Sequence, residues 1–297
     1  MDIGIGISEW SAARDLSEIF EAACEQGLER NLAELATFGF TTIPDALPRQ
    51  LIDERLVPAI CDAVTTSTGV APNLETGEGH DDINFAPFLL YRDPAFEQAL
   101  MNRPVLTLIQ YLLGRSCVLS SLSSHFKGPG QNPLALHSDN GNGTPSPFPS
   151  WSMVANCNYA LTDYTREGGA LAMVPGSHLL CRHPLGDERN LIGDVNPQAV
   201  PIEVPAGTAI IWHGNTWHGS FARSIPGVRI NLSMYFCRQF VAPQEDYRGT
   251  IGRELLERND DQFATLMGQH VYQPWRLEGP DWDKHARARE TASSLHS

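Results

Sequence analysis

The chain has little positive charge and no long apolar run. Lysine and arginine number 21 against 35 aspartates and glutamates, so the formal net charge is −14. This charge is unfavourable for binding nucleic acid or an anionic membrane, because both require clustered cationic side chains. No stretch reaches the roughly 20 apolar residues that a membrane-spanning helix needs. We therefore predict neither a nucleic-acid partner nor a membrane partner.

Paired cysteines and a secretion signal are also missing. The six cysteines are scattered, without a C-x-x-C spacing, which is typical of reduced thiols in a cytoplasmic protein. The opening residues, MDIGIGISEW, contain neither the basic segment nor the apolar core of a signal peptide. A G-x-S-x-G elbow, a P-loop and a complete G-x-G-x-x-G motif are absent, so hydrolases of that type, NTPases and Rossmann enzymes lack support. The predicted location is the cytoplasm.

The spacing of apolar residues changes along the chain. Helical spacing occurs in three N-terminal segments, residues 15–40, 48–64 and 93–114. Residues 66–86 are rich in Gly, Asn, Asp and Thr and are predicted to form a loop. From residue 116 the chain consists of short apolar or alternating runs, which are typical of strands, and helical spacing returns after Pro243. This order predicts an α+β fold with an antiparallel barrel or sandwich in the middle.

The segment NPLALHSDNGNG, residues 132–143, contains a histidine and an aspartate two positions apart. In an extended strand His137 and Asp139 point to the same face, and the Asn and Gly residues that follow turn the chain. An H-x-D pair alone occurs often by chance, and by itself it favours a polar loop over a metal site. A metal site therefore requires a third ligand elsewhere in the chain.

Two histidines compete for this third position in IIWHGNTWHGS, residues 210–220. A continuous strand would place His213 and His218 on opposite faces, because their spacing is odd. His218 precedes Gly219 and Ser220, whose small side chains leave room beside a metal. Two histidines and one carboxylate form the facial triad of non-haem Fe(II) oxygenases, which leaves coordination positions open.

An oxygenase of this kind needs an acidic keto-acid co-substrate and a cation that anchors it. Arg229 follows His218 along the chain, in the segment VRINLSMYF. Alternation places Arg229 on a polar face with three other polar side chains, Asn231, Ser233 and Tyr235, opposite an apolar face. A guanidinium in this position is suited to bidentate carboxylate binding. The alternative for Arg229 is a surface ion pair.

The motifs extend to five segments of the chain: NLAELATFGFTTIPDAL, LALHSDN, ALTDYTREGGAL, REGGALAMVPGSH and WHGSFARSIPGVR. In this order they resemble the phytanoyl-CoA dioxygenase family of Fe(II)- and 2-oxoglutarate-dependent oxygenases, over residues 28–240. The resemblance implies a double-stranded β-helix, a jelly-roll or cupin-like barrel, flanked by N- and C-terminal helices. Residues 1–297 would form a single domain, with a helix at 1–27 and a helical extension and tail at 241–297.

The resemblance also implies roles for individual residues. His137, Asp139 and His218 would bind Fe(II), and Arg229 would bind the distal carboxylate of 2-oxoglutarate. Three more side chains are candidates for contacts with this co-substrate: Ser220, Asn156 and Asn158. With O₂, such an enzyme decarboxylates 2-oxoglutarate to succinate and CO₂ and hydroxylates a small organic molecule. Asp139 favours oxygenation, because related halogenases carry a small residue at this position.

Two positions depart from the family pattern. Leu134 stands where many relatives carry Gln, and Leu171 stands where some carry Thr. Polar contacts with the co-substrate are therefore not expected from these two positions, whereas the triad is unaffected.

Three aromatic side chains are candidates for the wall of a substrate pocket: Phe126, Phe148 and Trp151. For Phe126, core packing is an equal alternative. The segment GNGTPSPFPSW, residues 141–151, follows the ligands directly and is predicted to be a mobile lid. Three further histidines have no partner at ligand spacing and are expected to be structural or exposed: His80, His125 and His183. In the resemblance His178 belongs to a turn and is not expected to be a ligand.

Three functions are compatible with these residues. The first is a 2-oxoglutarate-dependent hydroxylase of a neutral or apolar small molecule, whose centre would also permit desaturation, epoxidation or rearrangement. The second is a barrel that binds a metal or ligand without turnover, which does not need Arg229. The third is a metal-dependent hydrolase, which would not depend on 2-oxoglutarate. The terminal helices are compatible with a homodimer.

Overall fold

A computed structural model describes residues 12–77, 84–130, 133–141, 143–193, 195–270, 275–276, 279–280 and 282. Residues 1–11, His80 and the tail at 283–297 lie outside the described residues, and so do the predictions that concern them.

The helical spacing of residues 15–40 corresponds to two helices. They are α1 (Ala12–Glu25) and α2 (Glu29–Phe38), and Leu32 and Leu35 of α2 are buried. The second helix ends at Gly39, which has a left-handed conformation (φ 83°) and donates its backbone N–H to the carbonyl of Leu35. The chain then enters strand β1 (Phe40–Ile43).

The next helical region continues without a break from α3 (Arg49–Leu51) through a π-helical turn into α4 (Val57–Thr68). The predicted loop at 66–86 is wrong at both ends, because α4 extends to Thr68 and strand β2 occupies Asn84–Ala86.

The predicted helical pair at 93–114 is confirmed as α5 (Pro94–Leu100) and α6 (Arg103–Leu113). The side chains of Asp93 and Asn102 cap these helices by accepting backbone N–H groups, and Gly114 follows the last residue of α6.

Most of the strands form a six-stranded antiparallel sheet. Besides β1 and β2 it contains β3 (Val118–Lys127), β5 (Val154–Ala160), β8 (Ala209–His213) and β10 (Arg229–Cys237). Their order across the sheet is β1-β8-β5-β10-β3-β2. The long strand β10 lies between β3 and β5 and pairs with both.

A second, four-stranded antiparallel sheet carries the candidate ligands. It consists of β4 (Leu134–His137), β6 (Leu171–Met173), β7 (Val200–Ile202) and β9 (His218–Ser220), in the order β4-β9-β6-β7. Both sheets contribute side chains to one cavity. Within the described residues these ten strands form two sheets and not the closed barrel that the family resemblance implies, whereas the predicted α+β class with antiparallel sheets is observed.

Strand alternation separates the core from the cavity. The apolar residues of β10 (Ile230, Leu232, Met234 and Phe236) are buried in the main hydrophobic cluster together with α2, α4, α5 and α6. The polar residues of the same strand, beginning with Arg229, line the cavity on the other face. The predicted division of VRINLSMYF into two faces is therefore confirmed.

Short helices follow the sheets: α7 (Tyr247–Thr250), α8 (Arg253–Arg258) and α9 (Asp261–Leu266), before a ribbon of β11 (Trp275–Arg276) and β12 (Gly279–Pro280). Glu97 on α5 accepts hydrogen bonds from Arg258 and Asn259, which attaches α8 to the N-terminal helices. Among the residues described, no helix has the length and apolarity required to span a bilayer.

Candidate active site

Pairing between β4 and β9 places two histidines opposite each other. His137 is the cross-strand neighbour of His218, and their ring centroids are 4.3 Å apart. Asp139 begins a short 3₁₀ turn, and its two carboxylate oxygens lie 3.7 Å from Nε2 of His137 and 3.4 Å from Nε2 of His218. One ligand atom from each residue falls within 4.8 Å of the others. The predicted trio therefore forms a cluster.

Both histidines present Nε2 to the centre of this cluster. Nδ1 of His137 lies 3.0 Å from the carbonyl of Ala135, and Nδ1 of His218 lies 3.0 Å from the carbonyl of Thr216. A carbonyl only accepts, so Nδ1 carries the proton and Nε2 keeps its lone pair. Burial lowers the pKa of His218 to about 4, which keeps this imidazole neutral. Two imidazole nitrogens and a carboxylate fit a divalent transition metal.

The turn that carries Asp139 is attached to the approach to His218. Ser138 Oγ donates to the carbonyl of Gly214, and Asn140 donates through Nδ2 to Oδ1 of Asn215, at 2.7 Å. These hydrogen bonds join the two halves of the cluster, although they are far apart in sequence. At Gly219 a side chain would collide with the carbonyl of Leu134, so β4 and β9 approach closely only because this residue is glycine.

His213, the competing histidine, lies outside the cluster. Its ring is 5.5 Å from that of His178, and its Nδ1 accepts the backbone N–H of Asn215. Burial lowers the pKa of His213 to about 3. His178 contacts the carbonyl of Ala36 through Nε2, at 3.2 Å. Both histidines are structural.

Arg229 is buried at the start of β10 and lines the cavity. Its Nη1 donates to the carbonyl of Gly169, and its guanidinium carbon is 5.3 Å from the ring centre of Tyr164. Its Nε has no hydrogen-bond partner among the described residues. Burial lowers the pKa of Arg229. The alternative of a surface ion pair is wrong, because the side chain is not at the surface.

Lys127, which the sequence interpretation missed, lies directly opposite Arg229 on strand β3. It is fully buried and donates through Nζ to Ser220 Oγ, at 2.9 Å, and to the carbonyl of Phe221. In the described parts of the chain neither cation forms an ion pair with a carboxylate. Burial, and then the charge of Arg229, lowers the pKa of Lys127 to about 7. Two buried cations without a counter-ion are suited to an anionic ligand.

A signal for Lys127 was present in the sequence. Polar residues occupy every second position of SSLSSHFK, at Ser121, Ser123, His125 and Lys127, as they do along β10, although the other face also contains two serines. Three of these line the cavity, including His125, which the sequence interpretation had set aside. Burial, and then the charge of Arg229, lowers the pKa of His125 to about 4, so this imidazole is neutral.

The two asparagines on β5 are both buried beside the cluster. Asn156 donates through Nδ2 to Oδ2 of Asp139, at 2.7 Å. This hydrogen bond orients the carboxylate of Asp139 and uses one N–H group of Asn156. The Oδ1 of Asn158 is buried and has no hydrogen-bond partner among the described residues.

One cavity of about 320 Å³ connects these groups. Asp139, His137 and His218 lie on one side and Arg229 lies further along the six-stranded sheet, with Ser220, Asn156 and Asn158 between the sheets. The structure therefore brings together the seven residues for which a metal or co-substrate role was predicted.

The three aromatic residues predicted for the pocket wall do not line this cavity. Phe126 points to the opposite face of β3 and is fully buried in the main core, because it alternates with His125 and Lys127. Phe148 is buried with its ring 5.0 Å from that of His183. Trp151 is half-exposed and packs against Phe240 at 6.0 Å.

The segment predicted as a lid is attached to the rest of the protein at several points. The backbone N–H of Phe148 donates to the carbonyl of Cys181, and Asn215 donates to the carbonyl of Pro149. Asn140 accepts the backbone N–H groups of Met153 and Val154, where the segment enters β5.

Replacing Phe126 with alanine is expected to lower the free energy of unfolding by about 3–5 kcal/mol, because it leaves a cavity in the main core. Denaturant unfolding measures this change, with Phe85→Ala as the control, since Phe85 is half-exposed at the cavity. Affinity for 2-oxoglutarate should be unchanged in folded Phe126→Ala. A variant of normal stability with impaired 2-oxoglutarate binding would instead place Phe126 at the site.

Comparison with known proteins gives a family and a set of relatives. Residues 39–230 match the family described as Phytanoyl-CoA dioxygenase (PhyH). The chain is 26% identical over 247 residues to dioxygenase af480 of Aspergillus fumigatus, which covers 81% of this chain and 76% of that protein. It is 32% identical over 135 residues to dioxygenase FUM3 of Gibberella moniliformis, but this match covers only 43% of this chain and 41% of FUM3.

Two solved structures illustrate the shared fold. The epimerase SnoN from nogalamycin biosynthesis, in complex with Fe3+, alpha ketoglutarate and nogalamycin RO, aligns with a TM-score of 0.54 and 21% identity, covering 72% of this chain and 85% of SnoN. HygX from Streptomyces hygroscopicus, with nickel and 2-oxoglutarate bound, aligns with a TM-score of 0.58 and 17% identity, covering 72% of this chain and 88% of HygX.

The fold and the cluster of two histidines and one aspartate define the class: the chain is an iron- and 2-oxoglutarate-dependent dioxygenase. The family match extends over residues 39–230, which is more than half of the 297 residues. The chain belongs to the phytanoyl-CoA dioxygenase family.

Proposed function

We propose that the chain hydroxylates a small, neutral organic molecule, with His137, Asp139 and His218 holding Fe(II) and Arg229 anchoring 2-oxoglutarate. Residues 1–297 act as one domain, and the two antiparallel sheets are the walls of a jelly-roll core between helical segments. Dioxygenase-named fungal relatives and the origin of SnoN in nogalamycin biosynthesis support a role in secondary metabolism.

The iron site is supported by the orientation of its donors. The backbone carbonyls of Ala135 and Thr216 fix the tautomers of the two histidines, so that both Nε2 atoms are available as ligands. Asn156 holds one oxygen of Asp139, which leaves the other oxygen for the metal. Three protein ligands leave coordination positions for the co-substrate and O₂.

The co-substrate site is supported by the buried cations. Arg229 and Lys127 face each other across β10 and β3, and Ser220 is bound to Lys127. A carboxylate beside Arg229 would relieve the repulsion of two like charges and accept a hydrogen bond from the unpaired Nε of Arg229, with the ammonium of Lys127 behind Ser220. Asn158 Nδ2 is an additional donor on the same wall.

When bound, iron and 2-oxoglutarate supply an oxidant from O₂, with release of succinate and CO₂. The protein positions the substrate beside Asp139 and keeps the reacting centre between two sheets, away from bulk water. The observation that carries this proposal is that the donor cluster and Arg229 line one cavity, with Lys127 directly opposite Arg229 on β3. A protein that only binds metal has no use for this anchor, and a metal-dependent hydrolase would not depend on 2-oxoglutarate.

The test is an anaerobic titration of the purified protein with Fe(II) and 2-oxoglutarate, followed by admission of O₂. We expect a weak visible charge-transfer band when both are bound, and formation of succinate from 2-oxoglutarate after O₂ is added. Iron binding without the band would contradict the assigned co-substrate site. Turnover of a test ester without 2-oxoglutarate would support the hydrolase instead.

The affinity for 2-oxoglutarate is expected to fall as the pH rises above about 7. Burial and Arg229 lower the pKa of Lys127 to about 7, so its amine loses its proton above this pH in the free protein. A bound carboxylate stabilises the ammonium form, so binding takes up a proton, and the Kd rises by up to about tenfold per pH unit. Calorimetric titration between about pH 6 and about pH 9 measures the slope.

Lys127→Met is the matched control for this pH dependence. This variant lacks the titrating amine, so its 2-oxoglutarate affinity should be weaker but nearly independent of pH. The same slope in both proteins would show that a different group titrates. The stability of the free protein depends on pH in the opposite direction to the affinity. The unfolded chain keeps this lysine protonated up to its ordinary pKa of 10.5, so the free energy of unfolding rises with pH in this window.

A further inference from the structure

The two walls of the cavity differ in chemistry. The six-stranded sheet presents polar side chains from three adjacent strands, Ser121, Ser123, Asn158, Ser233 and Tyr235, between Trp212 on β8 and Phe85 on β2. The four-stranded sheet, apart from the iron ligands, presents Leu134 and Leu171, which flank Ser220 from either side. A ligand between these walls therefore contacts hydrogen-bonding groups on one face and hydrocarbon on the other.

Charged groups near the cavity are all accounted for by iron and 2-oxoglutarate. Among the described residues, the cavity is lined by one acidic side chain, Asp139, and one basic side chain, Arg229, apart from histidines. A second cavity, of about 160 Å³, shares Asp139, Tyr235 and Gln244 with the first and adds no further charge. Nothing in either cavity would neutralise an ionised substrate or the phosphates of a CoA thioester.

The buried side-chain oxygen of Asn158 needs a hydrogen-bond donor, which 2-oxoglutarate does not supply. Its Oδ1 is buried without a hydrogen-bond partner among the residues described, and the residue lines the cavity. An amide oxygen accepts hydrogen bonds and needs a donor. Ionised 2-oxoglutarate offers only acceptors, namely its carboxylates and its keto oxygen. The donor must come from another molecule, and an O–H group is the neutral donor that the polar wall suits.

Gln244 provides the complementary group at the mouth of the cavity. Ser121 donates from Oγ to Oε1 of Gln244 at 2.7 Å, which fixes the carboxamide. In the described ranges no acceptor is bound to Nε2 of Gln244, and this residue borders both cavities. Its N–H groups are suited to an oxygen acceptor on a ligand that enters here.

We infer that the substrate is an uncharged, hydroxyl-bearing molecule with a hydrocarbon face. Asn158 accepts a hydrogen bond from its hydroxyl group, and Gln244 donates a hydrogen bond to its oxygen. This inference rests on the proposed function, because it assigns Arg229 to 2-oxoglutarate. The proposed function requires only a neutral substrate, whereas this inference requires a neutral substrate that carries a hydroxyl group, and it excludes acyl-CoA thioesters.

Binding of a matched series of bicyclic compounds tests the inference. The probes are 1-decalol, which donates and accepts, 1-decalone, which only accepts, and trans-decalin, which does neither; hexanoyl-CoA and decahydronaphthalene-1-carboxylate are the anionic probes. The protein is loaded with Zn(II) and saturating 2-oxoglutarate, which prevents turnover. Saturation-transfer NMR titrations give the Kd of each probe.

We expect affinity to decrease from decalol to decalone to decalin, with no binding of either anion. Gln244→Leu should weaken both oxygenated probes by about threefold to tenfold, the size of one hydrogen bond, and leave decalin unchanged. Asn158→Leu, measured at saturating 2-oxoglutarate, should remove the difference between decalol and decalone. Gln50→Leu, on the exposed helix α3, is the control for Gln244→Leu and should change nothing.

Equal binding of decalin and decalol, a lack of binding by all neutral probes, or preferred binding of hexanoyl-CoA would overturn the inference. So would a Gln244→Leu variant that binds decalol as the native protein does. These results are distinguishable from failure of the proposed function. A Zn(II)-loaded protein that does not bind 2-oxoglutarate refutes the function itself, whereas one that binds it and does not discriminate among the probes refutes only the substrate class.

Discussion

His218→Ala is expected to weaken Fe(II) binding by more than about a hundredfold and to remove detectable succinate formation. Loss of a residue that only supports a metal ligand already costs about tenfold to a hundredfold in affinity, and loss of the ligand itself exceeds this. His218 supplies one of three donors in the cluster, and its tautomer is fixed by the carbonyl of Thr216. Anaerobic titration of the apo-protein with Fe(II) gives the affinity directly.

His213→Ala is the matched control for this experiment. Both histidines are buried, and they lie five residues apart, at the end of β8 and the start of β9 in different sheets. His213 contacts His178 and Asn215 and not Asp139. The control should lose some stability and retain Fe(II) binding at temperatures where it is folded. Thermal unfolding of both variants separates folding from ligation. If His213→Ala lost iron while His218→Ala kept it, the assignment of the third ligand would be reversed.

The sequence was most informative where a periodic pattern coincided with a chemical requirement. In β10 the alternation of polar and apolar residues correctly placed Arg229 on the inner face, because a strand allows only two faces. For the third ligand, odd spacing was not decisive, because His213 ends β8 and His218 begins β9, with a turn between them. The resemblance to the family indicated His218, and the structure places His218 beside Asp139.

What depended on contacts between distant segments could not be predicted. Lys127 acquires its significance from Arg229, which lies opposite it only because β3 and β10 are neighbours in the sheet. For Phe126 the sequence left the pocket wall and the core as equal alternatives, and the structure places it in the core. Asn156 was a candidate for a co-substrate contact, and the structure adds its hydrogen bond to Asp139. The contacts of Lys127 and Asn156 required the strand order, which a single sequence does not contain.

Arg229→Leu is expected to raise the Kd for 2-oxoglutarate by about 10-fold to 150-fold, which corresponds to the loss of charged hydrogen bonds of about 1.5–3 kcal/mol. Arg229→Lys should recover part of this loss, because it restores the charge without the planar fork that binds a carboxylate at two points. The affinity for Fe(II) alone should be unchanged in both variants, since Arg229 is not a member of the donor cluster. Titrations of 2-oxoglutarate at saturating Fe(II) provide the values.

The stability of Arg229→Leu distinguishes a binding residue from a structural one. Arg229 is buried opposite Lys127 without a carboxylate partner in the described residues, so replacing it removes an uncompensated charge from the interior. In the absence of 2-oxoglutarate the variant should therefore unfold at the same temperature as the native protein or at a higher one. With 2-oxoglutarate added, only the native protein should gain stability, by mass action. A variant that is destabilised and still binds 2-oxoglutarate normally would mean that Arg229 supports the fold and that the anion binds elsewhere.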